Sequence, residues 1–238
     1  MPKNSSHSRL ASDPRSLGVY GVKEAAHYLG LPAATLRAWV MGRPYATRQG
    51  TRTALPVIRI PEPTPPRLSF YNLCEAHVLG AIRRQHHVAL PDVRRAVDYL
   101  RKHFNTVHPL IEKAMETDGK DLFISHMGDL VAITRGGQIT IREALETYLR
   151  RIERDPEGLP VKLFPFTRQA IQDAPRNVVI DARVAFGRPV ITGTNVPTSV
   201  IAERYKAGDS IRDLMEDYGR EAAEIEEAIR CELDLKAA

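Results

Sequence analysis

Arg37, Arg43, Arg48 and Arg52 recur at intervals of four to six residues near one end of the chain. A guanidinium is a planar fork of donors that pairs with a phosphate or with the O6 and N7 edge of guanine. Slim side chains stand beside them: Ala34, Thr35 and Ala38, with Met41 one turn further on. If this stretch is helical, Leu36, Trp39 and Val40 form its apolar face. Ala34, Arg37, Ala38 and Met41 are then turned outward, with Thr35 at the edge. Small residues on that face let a helix approach the major groove closely, so that Arg37 can reach a base edge or a phosphate. The arginines that follow would fix the docking on the backbone. Lys23, one helix earlier, joins the same set. The chemistry expected here is DNA recognition, and the local charge agrees: residues 1–55 hold eight Lys or Arg against two carboxylates.

The other end has the opposite sign, with six Lys or Arg against eleven Asp or Glu from Val196 onward. Glu221, Glu224, Glu226 and Glu227 crowd one stretch, which phosphates would repel at close range. A protein partner or a dimer surface is expected there, with Glu221, Glu224 and Glu227 as its contacts. Histidines suggest metal or catalysis, but His86 and His87 are merely adjacent and His103 and His108 lie five apart. None sits in an HExxH or a CxxC context. Cys74 and Cys231 are far apart, which suits two separate thiols in a reducing compartment. The chain has no GxSxG, no Walker loop and no Rossmann glycine fingerprint. Neither an enzyme nor a bound cofactor or metal is expected.

The elements that must position these residues follow from periodicity. Val22, Ala25, Ala26 and Leu29 make one helix face, and Gly30-Leu31-Pro32 breaks it. A second helix carries Leu36, Trp39 and Val40 and ends at Gly42-Arg43-Pro44. Two short helices about a tight turn are a helix-turn-helix, spanning Val22 to Met41. Between Arg48 and Pro66 one β-prone run, Val57 to Ile60, lies among prolines, as in a wing or an irregular edge. Helices are expected over 71–85, with Asn72 and Glu75 as a capping box, and over 91–104. Next come a hairpin over 121–134 turning at Met127-Gly128-Asp129, a helix over 141–153 capped by Thr140 and Glu143, and a strand over 161–166. The last part reads as a small hairpin, Val178 to Ile180 with Val190 to Ile191. Three helices follow it: Thr198 to Lys206, Ile211 to Tyr218 and Glu221 to Leu235.

The fold class expected is therefore α+β, mainly helical. An N-terminal helix-turn-helix unit of MerR-like or winged type, with small β-hairpins, precedes a small C-terminal domain of a hairpin plus three helices. Residues 1–17 read as a disordered tail, 18–168 as the DNA-binding region, 169–177 as a linker and 178–238 as the second domain. With 238 residues, 43% of them hydrophobic, the chain can build a real core. No uninterrupted apolar run is long enough for a membrane span, and the polar first fifteen residues carry no secretory signal. The expected place is the cytoplasm.

Two stretches go beyond generic pattern. Asp181-Ala182-Arg183, Phe186-Gly187-Arg188-Pro189-Val190-Ile191-Thr192-Gly193-Thr194, Pro197-Thr198, Lys206-Ala207-Gly208 and Glu216-Asp217-Tyr218 resemble the DUF433 family, small domains found in toxin–antitoxin operons. Upstream, 20–40 together with 67–78 resembles the DNA-binding region of VapB-type antitoxins that carry a C-terminal DUF433 domain. The resemblance implies an antitoxin that represses its own operon and neutralises a PIN-like ribonuclease toxin. Its partners would be operator DNA, that toxin and a second copy in a homodimer. No catalytic residues carry over, and Gly187 and Gly193 serve turns. A stand-alone, ligand-responsive transcription factor is the alternative.

Overall fold

The computed structural model describes residues 13–47, 50–85, 89–131, 135–168 and 174–233. The fold is α+β and mainly helical, as the periodicity predicts. Strand β1 (Tyr20–Gly21) leads into α1 (Val22–Tyr28) and α2 (Ala33–Met41). A hairpin follows, β2 (Arg43–Thr47) and β3 (Gly50–Ala54), then short strands β4 (Glu62–Pro63) and β5 (Pro66–Leu68). Helices α3 (Phe70–Gln85), α4 (Leu90–Phe104), α5 (Asp118–Val131) and α6 (Arg135–Leu149) form the middle. Strands β6 (Ile152–Arg154), β7 (Pro160–Leu163), β8 (Val178–Asp181) and β9 (Pro189–Ile191) precede α7 (Thr198–Ala207), α8 (Ile211–Tyr218) and α9 (Ala222–Glu232).

Several expectations need correction. The tail was expected to reach residue 17, yet 13–17 are structured: Pro14–Ser16 form a 3-10 turn, and Arg15 pairs with Asp13 and Asp155, both at 2.7 Å. Residues 1–12 lie outside the described residues. The β structure after the helix-turn-helix is not at Val57 to Ile60. It is the β2–β3 hairpin, whose exposed strands lack the apolar alternation that would reveal them. Val57 and Ile58 are buried instead, and both backbone N–H groups donate to the Trp39 carbonyl at the end of α2. At the start of α3 the capping pair is Ser69 with Asn72, one turn earlier than the Asn72–Glu75 pattern.

The expected hairpin over 121–134 is helix α5. Phe123, Ile124 and Met127 are buried together, at the i, i+1, i+4 spacing of one helical face. Gly128, which suggested a turn, lies inside the helix, where a Cβ would come within 2.5 Å of Gln138 on α6. Residues 132–134 lie outside the described residues. Helix α6 begins before the Thr140–Glu143 pattern and ends at Leu149, so Ile152 to Glu153, expected in that helix, belong to β6.

Among the described residues, three antiparallel sheets are ordered β1–β5–β4, β2–β3 and β6–β7–β8–β9. The last one crosses the expected linker: Lys162 and Leu163 of β7 register with Asp181 and Ile180 of β8. Of 169–177, residues 169–173 lie outside the described residues. The main core runs from Tyr20 and Trp39 through α3–α6 to Ile180, so it too includes a residue from beyond that linker. A smaller core gathers Ile191, Ile201, Leu214, Ile225, Ala228 and Ile229 beneath α7–α9. Ser210 caps α8, and Gly208 and Gly219 end α7 and α8 in the left-handed conformation. Among the described residues no helix is long and apolar enough to cross a membrane.

Candidate nucleic-acid interface

The helix-turn-helix is built from its buried side outward. Val22, Ala25, Ala26 and Leu29 of the first helix and its end meet Leu36, Trp39 and Val40 of α2 in the core. Gly30 takes φ +58 between them, a left-handed turn that glycine adopts without a Cβ penalty. Glu24, the carboxylate of α1, is folded back on its own helix start, accepting from the Gly21 N–H and the Tyr28 hydroxyl, each at 3.2 Å. With the apolar face committed to the core, α2 presents its opposite face outward. Ala34 and Arg37 are exposed, and Thr35, Ala38 and Met41 are half-buried.

That face lines an open groove of about 600 Å³, bounded by α2, the Gly42–Pro44 turn and Leu90 at the head of α4. Ala34, Thr35, Arg37, Ala38, Met41 and Arg43, expected from sequence to touch DNA, all line this concavity. Lys23 is exposed on α1, outside the groove lining, and Arg52 is exposed on β3. Arg48 lies outside the described residues.

The hairpin adds a residue that the sequence reading missed. Arg43 registers with Ala54 and Tyr45 with Arg52. Directly opposed residues and alternate positions along a strand share a face, so Arg43, Tyr45 and Arg52 stand on one side of the hairpin. Tyr45 is exposed there, between two guanidinium-bearing positions. The Arg-x-Tyr spacing was the available signal, hidden by Pro44. The joint between helix and hairpin is Gly42, at φ +78, where a Cβ would sit 1.9 Å from the Ala54 carbonyl oxygen. No side chain fits between the end of α2 and β3.

The acidic end differs from its expected form. Glu221 is exposed. Glu224 is half-buried, bonded to Arg220 at 2.6 Å and to the Glu221 N–H at 3.0 Å. Glu227 is not a surface contact: its side chain is 1% exposed, held by Thr167, Arg168 and Arg230. The helix turns it inward, where it ties α9 to the chain just after β7. Spacing alone grouped it with its exposed neighbours.

Other chemistry-bearing residues are engaged in the fold. His108 Nδ1 lies 2.9 Å from the buried Glu75 carboxylate, and His103 stacks against Tyr99. His86 and His87 lie outside the described residues. Among the described residues no three His, Cys, Asp or Glu side chains converge as a metal site. Cys74 and Cys231 are buried, and burial pushes both thiols up, Cys231 to about 12, which disfavours the nucleophilic thiolate.

Residues 18–97 match the family model described as "Putative DNA-binding HTH domain", and residues 178–230 match the one described as "Protein of unknown function (DUF433)". A Mycobacterium tuberculosis protein named "Putative antitoxin VapB45" is 31% identical over 229 residues, covering 89% of this chain and 92% of that protein. The uncharacterized protein Rv2308 of the same organism is 27% identical, with 89% of this chain and 88% of that protein covered. The crystal structure of Rv2018, also from Mycobacterium tuberculosis, superposes with a TM-score of 0.68 at 26% identity, covering 90% of this chain and 98% of that one. The chain carries a DNA-binding helix-turn-helix domain followed by a DUF433 domain, and it belongs to the VapB45 family.

Proposed function

We propose that this protein is an antitoxin that represses its own operon through the N-terminal helix-turn-helix and neutralises a PIN-like ribonuclease toxin. The observation that carries the DNA-binding part is the groove along α2, where slim side chains surround an exposed Arg37 and lead into the Arg43–Tyr45–Arg52 face of the hairpin. In this reading α2 enters the major groove, Ala34 and Ala38 permit close approach, and Thr35 and Met41 flank the base edges. Arg37 reads a base edge or holds a phosphate. Arg43, Arg48, Arg52 and Lys23 bind the backbone and fix the docking. Two copies bind two half-sites as a homodimer, the arrangement common among helix-turn-helix repressors.

The antitoxin part draws its support from the relative named as an antitoxin, which this chain matches over most of its length. The protein acts without catalysis of its own, in the cytoplasm, where operator and toxin meet. The exposed Glu221, with Glu224 beside it, repels phosphate and is free to face a protein partner.

Co-expression with the product of the adjacent gene tests the reading. The two should co-purify, the antitoxin should relieve growth inhibition by its neighbour, and the complex should retard DNA from the shared promoter. Failure to form the complex overturns the antitoxin part. Failure to bind the promoter, alone or in complex, overturns the repressor part.

A further inference from the structure

Between β8 and β9 the chain makes a turn that few L residues adopt. Ala185, Phe186 and Gly187 all have positive φ, at +47, +57 and +76. Consecutive left-handed residues are rare because each Cβ crowds its neighbouring carbonyl. The fold explains two of the three. Ala185 packs against the cluster of Phe164, Val179 and Val190. Gly187 is required, because a Cβ there would lie 2.3 Å from the Tyr20 hydroxyl oxygen, and that hydroxyl donates to the Gly187 carbonyl at 2.9 Å. Phe186 has no such account. Its side chain is left in solvent, 95% exposed, in a conformation that glycine or asparagine would adopt at less cost.

Backbone strain that the surrounding structure over-determines tends to collect where a surface is used. The flanking residues say what kind of surface this is. Arg183 and Arg188 are both exposed, while the nearby Asp181 carboxylate is buried and bound by Arg183. An aromatic ring between guanidinium groups is the composition of an interface anchor, and the positive rim calls for carboxylates opposite.

We infer that Phe186 is the anchor of a protein-docking surface, entering an apolar pocket rimmed by carboxylates on the toxin, with Arg183 and Arg188 pairing with that rim. The inference rests on the antitoxin reading for the identity of the partner. Its local geometry does not depend on that reading.

The test uses the full chain co-expressed with the adjacent gene product, comparing wild type with Phe186→Gly and Arg188→Glu. Phe186→Gly removes the ring and relaxes the turn. The melting temperature should stay level or rise, while affinity for the partner falls at least tenfold, as for loss of an interface anchor. Arg188→Glu should weaken binding similarly, and promoter binding should be unchanged in both. If wild type binds and Phe186→Gly binds equally well, the anchor is overturned while the antitoxin reading stands. If wild type binds nothing, both fall. A lowered melting temperature with unchanged affinity makes Phe186 structural. Weakened self-association or weakened DNA binding with toxin affinity intact assigns the face to another occupant. Each of these last two results overturns the inference.

Discussion

Glu227 shows how one carboxylate can hold a fold while its neighbours on the same helix face water. It sits at 1% exposure with Thr167, Arg168 and Arg230 around it, and the two arginines remain 45% and 37% exposed. Replacing Glu227 with alanine would leave those arginines free to turn toward water, so only part of the buried-pair penalty applies. The expected cost is about 1–3 kcal/mol of stability, read from denaturant midpoints. Glu221→Ala, at an exposed position, should change stability by less than about 0.5 kcal/mol. Equal effects would contradict the assignment of Glu227 to the interior. The difference was not legible in the sequence, because residues at 221, 224 and 227 share a helical spacing and only packing decides which one is covered. Arg37 is the opposite case. Its neighbours Leu36, Trp39 and Val40 fix the buried side of a short helix, and the outward side follows from helical geometry alone.

At the level of elements, the join between α2 and the β2–β3 hairpin sets the shape of the proposed DNA-binding face. Gly42 has φ +78 and leaves no room for a Cβ against the Ala54 carbonyl. Gly42→Ala should therefore displace the hairpin relative to α2. It should weaken promoter binding and lower stability by more than the roughly 1 kcal/mol typical of a point substitution. Unchanged binding would mean that the hairpin does not contribute. The helix-turn-helix and the three C-terminal helices could be read from sequence because their apolar stripes, glycine stops and caps agree. Two elements could not. The hairpin is exposed on both faces, so nothing alternates, and α5 contains Gly128, a turn residue tolerated there beside Gln138. The turn chemistry was real, but Phe123, Ile124 and Met127 needed one helical face to reach the core.

Taken whole, the two family domains, 18–97 and 178–230, are tied together by shared structure. Strand β7, from the stretch between them, pairs with β8 of the second, and Tyr20 of the first reaches across to Gly187. Arg151 fastens the crossing: its buried guanidinium donates to the carbonyls of Phe164, Pro165, Ala174 and Pro175, and lies over the Phe166 ring. Burial, with Arg176 nearby, pulls its pKa down to about 10, so it remains charged at neutral pH. Arg151→Met should strand those carbonyls and cost about 3 kcal/mol or more; a fully retained melting temperature would contradict the role.

Acid should loosen the same assembly. Burial raises the Asp13, Asp155 and Asp181 carboxyls, but hydrogen bonds from Arg15 to the first two and from Arg183 to the third outweigh it and hold all three below their usual range. A carboxyl lowered in the folded state stabilises fully above its unfolded value, roughly 3.9 for Asp. That contribution is lost as pH falls through the lowered folded values. Denaturant midpoints should hold from pH 7 to about 5 and fall below about pH 4, and a flat profile would exclude these pairs as stabilising contacts.

The pairing of β7 with β8 was not visible in the sequence, since register across a connection depends on the assembled core. In the proposed mode, DNA is read from α2 and the hairpin and not from the acidic helices. The most direct measurement is the salt dependence of promoter binding for wild type and Arg37→Ala/Arg43→Ala. The double variant should bind more weakly, with a slope in log affinity against log salt shallower by about 1 for each phosphate contact removed. An unchanged affinity and slope at moderate salt would remove this helix-turn-helix from the interface.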